Sequence, residues 1–217
     1  MLAIEGVAKL RGGEFSVGPD YLEVVSFIGA AAVTGGEIRV RDAAPGYLDM
    51  IRLVFRRLGV DWTIEGSDVI VRPSQPLNVI PDIGGAIPTI TDLPWPGFPA
   101  DLMSIAIVIA TQAAGTALFH EWMYESRLFF VDRLIGMGAR IVLCDPHRCL
   151  VQGPATLHAE PGGLASPDIR AGMALLIAAL CAEGTSVIRN IGQIYRGYER
   201  VEEKLKSLGA GIERMSE

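Results

Sequence analysis

The sequence repeats itself three times, and no other feature narrows its folding options as far. Each copy carries an apolar, helix-like stretch that closes on small residues and a glycine: Ala30-Ala31-Ala32-Val33-Thr34-Gly35-Gly36, Ala113-Ala114-Gly115-Thr116 and Cys181-Ala182-Glu183-Gly184-Thr185. A short β-like run follows in each case, then a second amphipathic stretch ending in Leu58-Gly59-Val60, Met137-Gly138-Ala139 or Leu208-Gly209-Ala210. The separation from Gly36 to Gly59 equals that from Gly115 to Gly138, and that from Gly184 to Gly209 is two residues longer. Composition alone does not produce such spacing. A fixed period means one supersecondary unit used repeatedly, with its apolar face buried against its neighbours.

The first copy shows the parts of the unit. Tyr21 to Thr34 reads as a buried helix, Glu37 to Arg41 as a strand, and Tyr47 to Leu58 as a helix with Leu48, Ile51, Leu53, Val54 and Leu58 on its apolar side. Asp61 to Ile64 and Val69 to Val71 then flank Glu65-Gly66-Ser67-Asp68, a hairpin signal. The second copy runs in the same order from Leu102 to Gln152, with its hairpin turn at Asp145-Pro146-His147-Arg148. The third begins its helix at Ile169 and reaches Glu217 after one hairpin strand, so it is expected to be incomplete. Lead-in segments repeat as well: Ile4-Glu5-Gly6 resembles Val151-Gln152-Gly153, and each lead-in is followed by Pro-Asp, at Pro19-Asp20 and Pro167-Asp168. Pro73 to Pro99 reads as a Pro- and Gly-rich connection, with Pro94-Trp95-Pro96-Gly97-Phe98-Pro99 a rigid approach to the next helix.

The expected class is therefore α/β (α+β), and half of the 217 residues are apolar, enough for a substantial core. The net charge is -6 and the basic residues form no block, which argues against nucleic acid as a partner. Three cysteines without framework spacing read as reduced thiols of a cytoplasmic protein. No leader opens the chain and the longest apolar run, Leu102 to Ala110, is too short to span a membrane, so no membrane partner is expected.

The candidate chemistry sits where loops meet the apolar helices. Asp101 and Asp168 each precede such a helix, where a carboxylate either caps free N–H groups or stands at the mouth of a site. Arg127, Arg170 and Arg196 each lie near a helix start or in the loop before one. Three guanidiniums from separate positions meeting at a common axis would clamp an anion, because their forks match carboxylate and phosphate oxygens. Cys144, His147 and Cys149 straddle a hairpin turn without a second ligand pair, so no metal site is expected. The chain has neither a Gly-rich phosphate loop nor a nucleophile elbow.

Four segments carry a resemblance: Pro96-Gly97-Phe98-Pro99-Ala100-Asp101-Leu102, Tyr124-Glu125-Ser126-Arg127, Pro167-Asp168-Ile169-Arg170-Ala171 and, most specifically, the stretch from Tyr195-Arg196-Gly197-Tyr198-Glu199-Arg200 to Leu205. They are similar to the enolpyruvyl transferases, over all of this chain but only the C-terminal half of the family's length. The resemblance implies three βαβαββ repeats around a pseudo-threefold axis, one domain of a two-domain fold described as an inside-out α/β barrel. It implies transfer of the enolpyruvyl group of phosphoenolpyruvate to the 3-hydroxyl of UDP-N-acetylglucosamine, the first committed step of peptidoglycan synthesis, without cofactor. The shikimate-pathway branch and a noncatalytic anion-binding or assembly module are the alternatives.

By position, the resemblance makes Asp101 the carboxylate that takes the sugar hydroxyl proton and Asp168 an acid at the reacting centre. Met123 becomes an apolar contact to the UDP-sugar, Arg127 and Arg170 the holders of the phosphoenolpyruvate carboxylate, Arg196 a phosphate ligand, and Glu125 a support behind them. A Lys-Asn pair, a loop cysteine and an arginine of the family belong to the other half, and Cys144, Cys149 and Cys181 do not stand at the loop-cysteine position. Gln193 and Tyr195 replace the His and Asp that usually precede the Arg-Gly-Tyr-Glu motif. The expected division is residues 1–19 as a tail of the other domain or lead-in strands, and 20–217 as the three-repeat domain, with repeats near 20–75, 100–152 and 153–217. A complementary N-terminal half is the expected partner. A sheet edge left unpaired would favour self-association.

Overall fold

A computed structural model describes residues 1–215, so the last two residues expected in the third repeat, Ser216 and Glu217, lie outside the described residues. Residues 1–20 form no helix or strand and are exposed throughout. The first copy contains α1 (Tyr21–Thr34), β1 (Ile38–Val40), α2 (Asp49–Arg56), β2 (Thr63–Glu65) and β3 (Asp68–Val71). The second contains β4 (Thr89–Thr91), α3 (Met103–Gln112), β5 (Gly115–His120), α4 (Val131–Gly136), β6 (Arg140–Asp145) and β7 (Arg148–Gly153). The third contains β8 (Leu164–Ala165), α5 (Ile169–Cys181), β9 (Ile188–Arg189), α6 (Gly192–Tyr195) and α7 (Val201–Ser207).

The three apolar helices α1, α3 and α5 pack against one another at the centre, and the sheets lie around them. Such helices cannot face water, since α3 buries every residue from Met103 to Thr111. Its two buried hydroxyls are satisfied by backbone carbonyls: Ser104 donates to Arg170 O at 3.2 Å and Thr111 to Val108 O at 2.7 Å. Small residues set the distance between helices. A methyl group on Gly29 of α1 would stand 2.7 Å from Ile105 Cγ2 of α3. Truncating Ile105 to Ala at this fully buried junction would cost about 2–5 kcal/mol.

Sheet topology repeats with the sequence. The order β1-β3-β2 in the first sheet recurs as β5-β7-β6 in the second, and the parallel pair β4-β5 recurs as β8-β9 in the third. The middle copy therefore shows the whole unit of four strands. The glycines that mark the repeat share a conformation: Gly59, Gly138 and Gly209 have φ of +84°, +101° and +99°, just after the second helical segment of each copy. At the end of the first apolar stretch it is Gly35, at φ +66°, and not Gly36, that takes the left-handed turn.

Three expectations need correction, the first being that no strand follows α7 among the described residues, where one hairpin strand was expected. The helix drawn from Tyr47 to Leu58 is a 3-10 turn, Pro45–Tyr47, followed by α2, and its buried face holds Phe55 in place of Leu53, which is 61% exposed. A period of 3.6 links Leu48, Ile51, Phe55 and Leu58, and Leu53 falls off that stripe. Within the connection from Pro73 to Pro99, Thr89–Thr91 forms β4, a strand too short for alternation to reveal and held by parallel pairing with Leu118–His120.

Candidate active site

The first turns of the three central helices meet at one end of the core. Asp20 caps α1, accepting from Leu22 N at 2.9 Å, and Asp168 caps α5, its Oδ1 accepting from Arg170 N at 2.7 Å and Ala171 N at 2.9 Å. Asp101 does not cap α3. It lies in a 3-10 turn, Ala100–Leu102, and its carboxylate is held by two arginines. Arg127 Nη1 donates to Oδ1 at 2.7 Å, and Arg170 Nε donates to Oδ2 at 3.1 Å. The two aspartates that looked alike in sequence thus differ: one is committed to a helix end, the other to a pair of guanidiniums.

Local structure explains the aim of each arginine. Arg170 is the second residue of α5 and only 18% of its side chain is exposed. Its Nη1 donates to the Tyr198 hydroxyl at 3.3 Å. That hydroxyl is 2.9 Å from Ser26 Oγ, and Ser26 donates its own proton to Leu22 O at 2.8 Å. The proton of Tyr198 is therefore the one directed to Ser26, leaving its oxygen to receive Arg170. Burial outweighs the Ser26 and Arg170 contacts and raises the Tyr198 pKa, so the hydroxyl stays protonated. Arg127 begins a 3-10 turn directly after Ser126, whose φ of +63° is left-handed, and its guanidinium lies 4.6 Å from the ring centre of Tyr124.

The charges balance in a defined way. Burial acts to raise the pKa of Asp101, but the Arg127 hydrogen bond and the charges of Arg170 and Arg127 overcome it, and the carboxyl is held below its usual range. The result is an ionised carboxylate at neutral pH whose two cationic partners also suit an anion.

Asp101, Arg127 and Arg170 are brought together, and Asp168 sits two residues before Arg170 as the cap of the same helix. Met123 lies half-buried on the loop leading to Arg127, its N–H donating to Asp92 Oδ2 at 3.3 Å, and Glu125 is exposed on that loop. Arg196 stands apart, exposed and donating to Gln193 Oε1 at 3.0 Å. Of the three metal-like residues, Cys144 is exposed, Cys149 is buried and His147 Nδ1 lies 2.8 Å from Glu121 O. Burial pushes the Cys149 and Cys181 thiols up to about 12 and about 11, so neither is a nucleophile at neutral pH. Sequence reasoning missed the role of Tyr198 and Ser26. The only signal was Tyr198 itself, an aromatic inside the most specific motif.

A family model described as EPSP synthase (3-phosphoshikimate 1-carboxyvinyltransferase) matches residues 1–205. The chain belongs to this family. Within the EPSP synthase family its similar curated relatives bear another name: the UDP-N-acetylglucosamine 1-carboxyvinyltransferase of Treponema denticola is 56% identical over 213 residues, covering 98% of this chain and 50% of that protein. That of Bradyrhizobium diazoefficiens is 55% identical over 216 residues, again 50% of its length. The chain spans about half the length of the curated relatives it matches. The enolpyruvyl transferase NikO from Streptomyces tendae superposes with a TM-score of 0.80 at 28% identity, over 92% of this chain and 45% of that one. An EPSP synthase structure from Acinetobacter baumannii, at 18% identity and a TM-score of 0.69 over 91% of this chain and 47% of that one, shares the fold. The architecture described above is the enolpyruvyl transferase fold.

Proposed function

We propose that this chain supplies one wall of an active site that transfers the enolpyruvyl group of phosphoenolpyruvate to the 3-hydroxyl of UDP-N-acetylglucosamine, with a complementary N-terminal half supplying the other. The observation that carries this reading is the Asp101 carboxylate held between Arg127 and Arg170. While paired with both arginines, Asp101 is a weak base. An incoming phosphoenolpyruvate carboxylate competes for the guanidinium forks, and Asp101, relieved of them, becomes free to accept the hydroxyl proton.

The bond that forms joins the sugar oxygen to C2 of phosphoenolpyruvate, and the bond that breaks joins C2 to the phosphate oxygen. The proton taken from the hydroxyl leaves finally with inorganic phosphate. Arg196, exposed and tied only to Gln193 in the described contacts, is free to swing onto that phosphate as the site closes, and Asp168 offers the reacting centre the oxygen not used in capping. Fixed positive charge where phosphate departs lowers the barrier because it costs no reorganisation during reaction. Met123 contacts the UDP-sugar and Glu125 supports the loop. The reaction needs no cofactor.

A groove of about 1110 Å³ lies between α5, β9 and Gly211–Met215, where the other two copies place a hairpin against the central helix. We assign residues 20–217 to the three-repeat domain and 1–19 to the complementary half, with a second copy of the chain as the alternative occupant of the open edge. On this reading the chain works in the cytoplasm, in peptidoglycan synthesis and through it in cell shape and division. No helix among the described residues is long and apolar enough to cross a membrane.

The test is phosphate release from phosphoenolpyruvate and UDP-N-acetylglucosamine, by this chain alone and mixed with the N-terminal half of the Treponema denticola relative. Release only on mixing is expected. Release with shikimate 3-phosphate instead would move the assignment to the other branch of the family. No release with a folded chain would leave a noncatalytic anion-binding module.

A further inference from the structure

Two acids lie buried at the base of the loop that carries Met123 and Arg127, and the reaction proposed above uses neither. Asp92 follows β4 and Glu121 follows β5, and the parallel pairing of Thr91 with His120 brings them side by side. Both residues are fully buried, at 0% exposure. Asp92 is well satisfied: Oδ1 accepts from Trp122 N at 2.8 Å and Oδ2 from Met123 N at 3.3 Å. Glu121 is not, for neither carboxyl oxygen has a hydrogen-bond partner. Its backbone is tied down, with N donating to His147 O at 2.8 Å and O lying 2.8 Å from His147 Nδ1.

The groups facing Glu121 are Asp92 beside it, Arg127 from the loop and His147 from the β6–β7 turn. Two touching carboxylates in a buried site do not both ionise. Two N–H groups, those of Trp122 and Met123, are aimed at the Asp92 carboxylate. The proton falls to Glu121. Burial first, then the neighbouring Asp92, push its pKa from the usual 4.5 up to about 8, against the opposing charge of Arg127 and the backbone N–H of Tyr124.

We infer that Asp92 and Glu121 are a positioning pair for the Met123–Arg127 loop: Asp92 templates the turn through two backbone N–H groups, and a proton on Glu121 lets the two acids share the site. Only the catalytic consequence rests on the transferase reading. Because the Glu121 pKa is raised on folding, the stability it contributes is complete below about 4.5 and is lost as pH rises through about 8. Above that, a second buried negative charge opposes the turn and loosens Arg127 from Asp101.

The experiment is an amide proton–nitrogen NMR titration of the full chain, following Trp122 and Met123 from about pH 6 to about pH 9.5. In the wild type both amides move together with a midpoint near 8. Glu121→Gln, which keeps the shape of the neutral acid and cannot ionise, flattens the titration. Asp92→Asn displaces both amides at every pH. Wild-type amides that do not titrate, or a Glu121→Gln variant that titrates as the wild type does, overturn the inference. In the mixed system, KM for phosphoenolpyruvate rises at alkaline pH in the wild type and loses that dependence in Glu121→Gln, while kcat changes less. Titrating amides without phosphate release at any pH would sink the transferase reading and leave the pair standing; release without titrating amides does the reverse.

Discussion

The hydroxyl of Tyr198 receives Arg170 Nη1 at 3.3 Å across 28 residues of sequence, and the guanidinium carbon lies 5.6 Å from the centre of the tyrosine ring. Tyr198 is 1% exposed, so the arginine is held from below by a rigid, dry support. Tyr198→Phe keeps the ring and removes the bridge between Ser26 and Arg170. Thermal or urea unfolding should show a loss of about 0.5–1.5 kcal/mol, the net worth of a hydrogen bond. Phosphoenolpyruvate binding should weaken by more than this stability change explains; equal affinity in the two proteins would show that Tyr198 does not orient Arg170.

Removing the charge of Asp101 separates its two jobs. In the mixed system Asp101→Asn should lower kcat about 10²- to 10⁴-fold, the range for a lost general base. The unfolding comparison has its own sign. The Asp101 pKa is depressed in the folded state, so the stabilisation it brings is present above the ordinary carboxylate range and fades as pH falls through the folded value. Wild type and variant should therefore differ in melting temperature at neutral pH and converge in acid. A constant difference across pH would mean that shape, not charge, is being measured.

Two repeat glycines share a backbone conformation and differ in surroundings. A methyl group on Gly59 would stand 2.4 Å from both Asn78 N and Pro76 O, whereas one on Gly209 would meet nothing within 4 Å. Gly209→Ala should cost only the left-handed penalty, about 1–2 kcal/mol. Gly59→Ala adds overpacking against backbone, about 1–3 kcal/mol more. Chemical denaturation of both variants tests the ranking, and equal costs would contradict the close approach of Pro76–Asn78.

Among the described residues β9 pairs only with β8, and its other side should make the isolated chain self-associate. Sedimentation at rising concentration is expected to show a growing dimer, and Ile188→Lys, a charge on the two-residue edge strand, should suppress it. The complementary half should suppress it as well, since both compete for one edge. A dimer untouched by either would place the contact elsewhere.

Much of the fold was legible because α1, α3 and α5 are buried over most of their length and so form long apolar runs closed by glycine. Tyr21–Thr34 has the bounds its composition implies, and β6 and β7 flank the expected turn at Asp145–Arg148. Short elements were not legible. Thr89–Thr91 and Leu164–Ala165 carry too few residues for any period, and they are strands only because β5 and β9 lie alongside. Leu53 and Phe55 are both apolar, and only the packing of α2 decides which one is buried.

The candidate site divides along the same line. Asp20, Asp101 and Asp168 all stand just before an apolar helix, and sequence alone assigned the latter two the same pair of possible roles. By itself the sequence determined the repeated unit, the apolar helices and the positions from which Asp101, Arg127 and Arg170 project, because periodicity and glycine placement are local properties. Only the tertiary structure decided that Asp168 caps its helix while Asp101 faces two arginines, and that Glu121 is left without a partner. Pairings across 26 and 69 residues depend on how three helices converge, and no local pattern records that convergence.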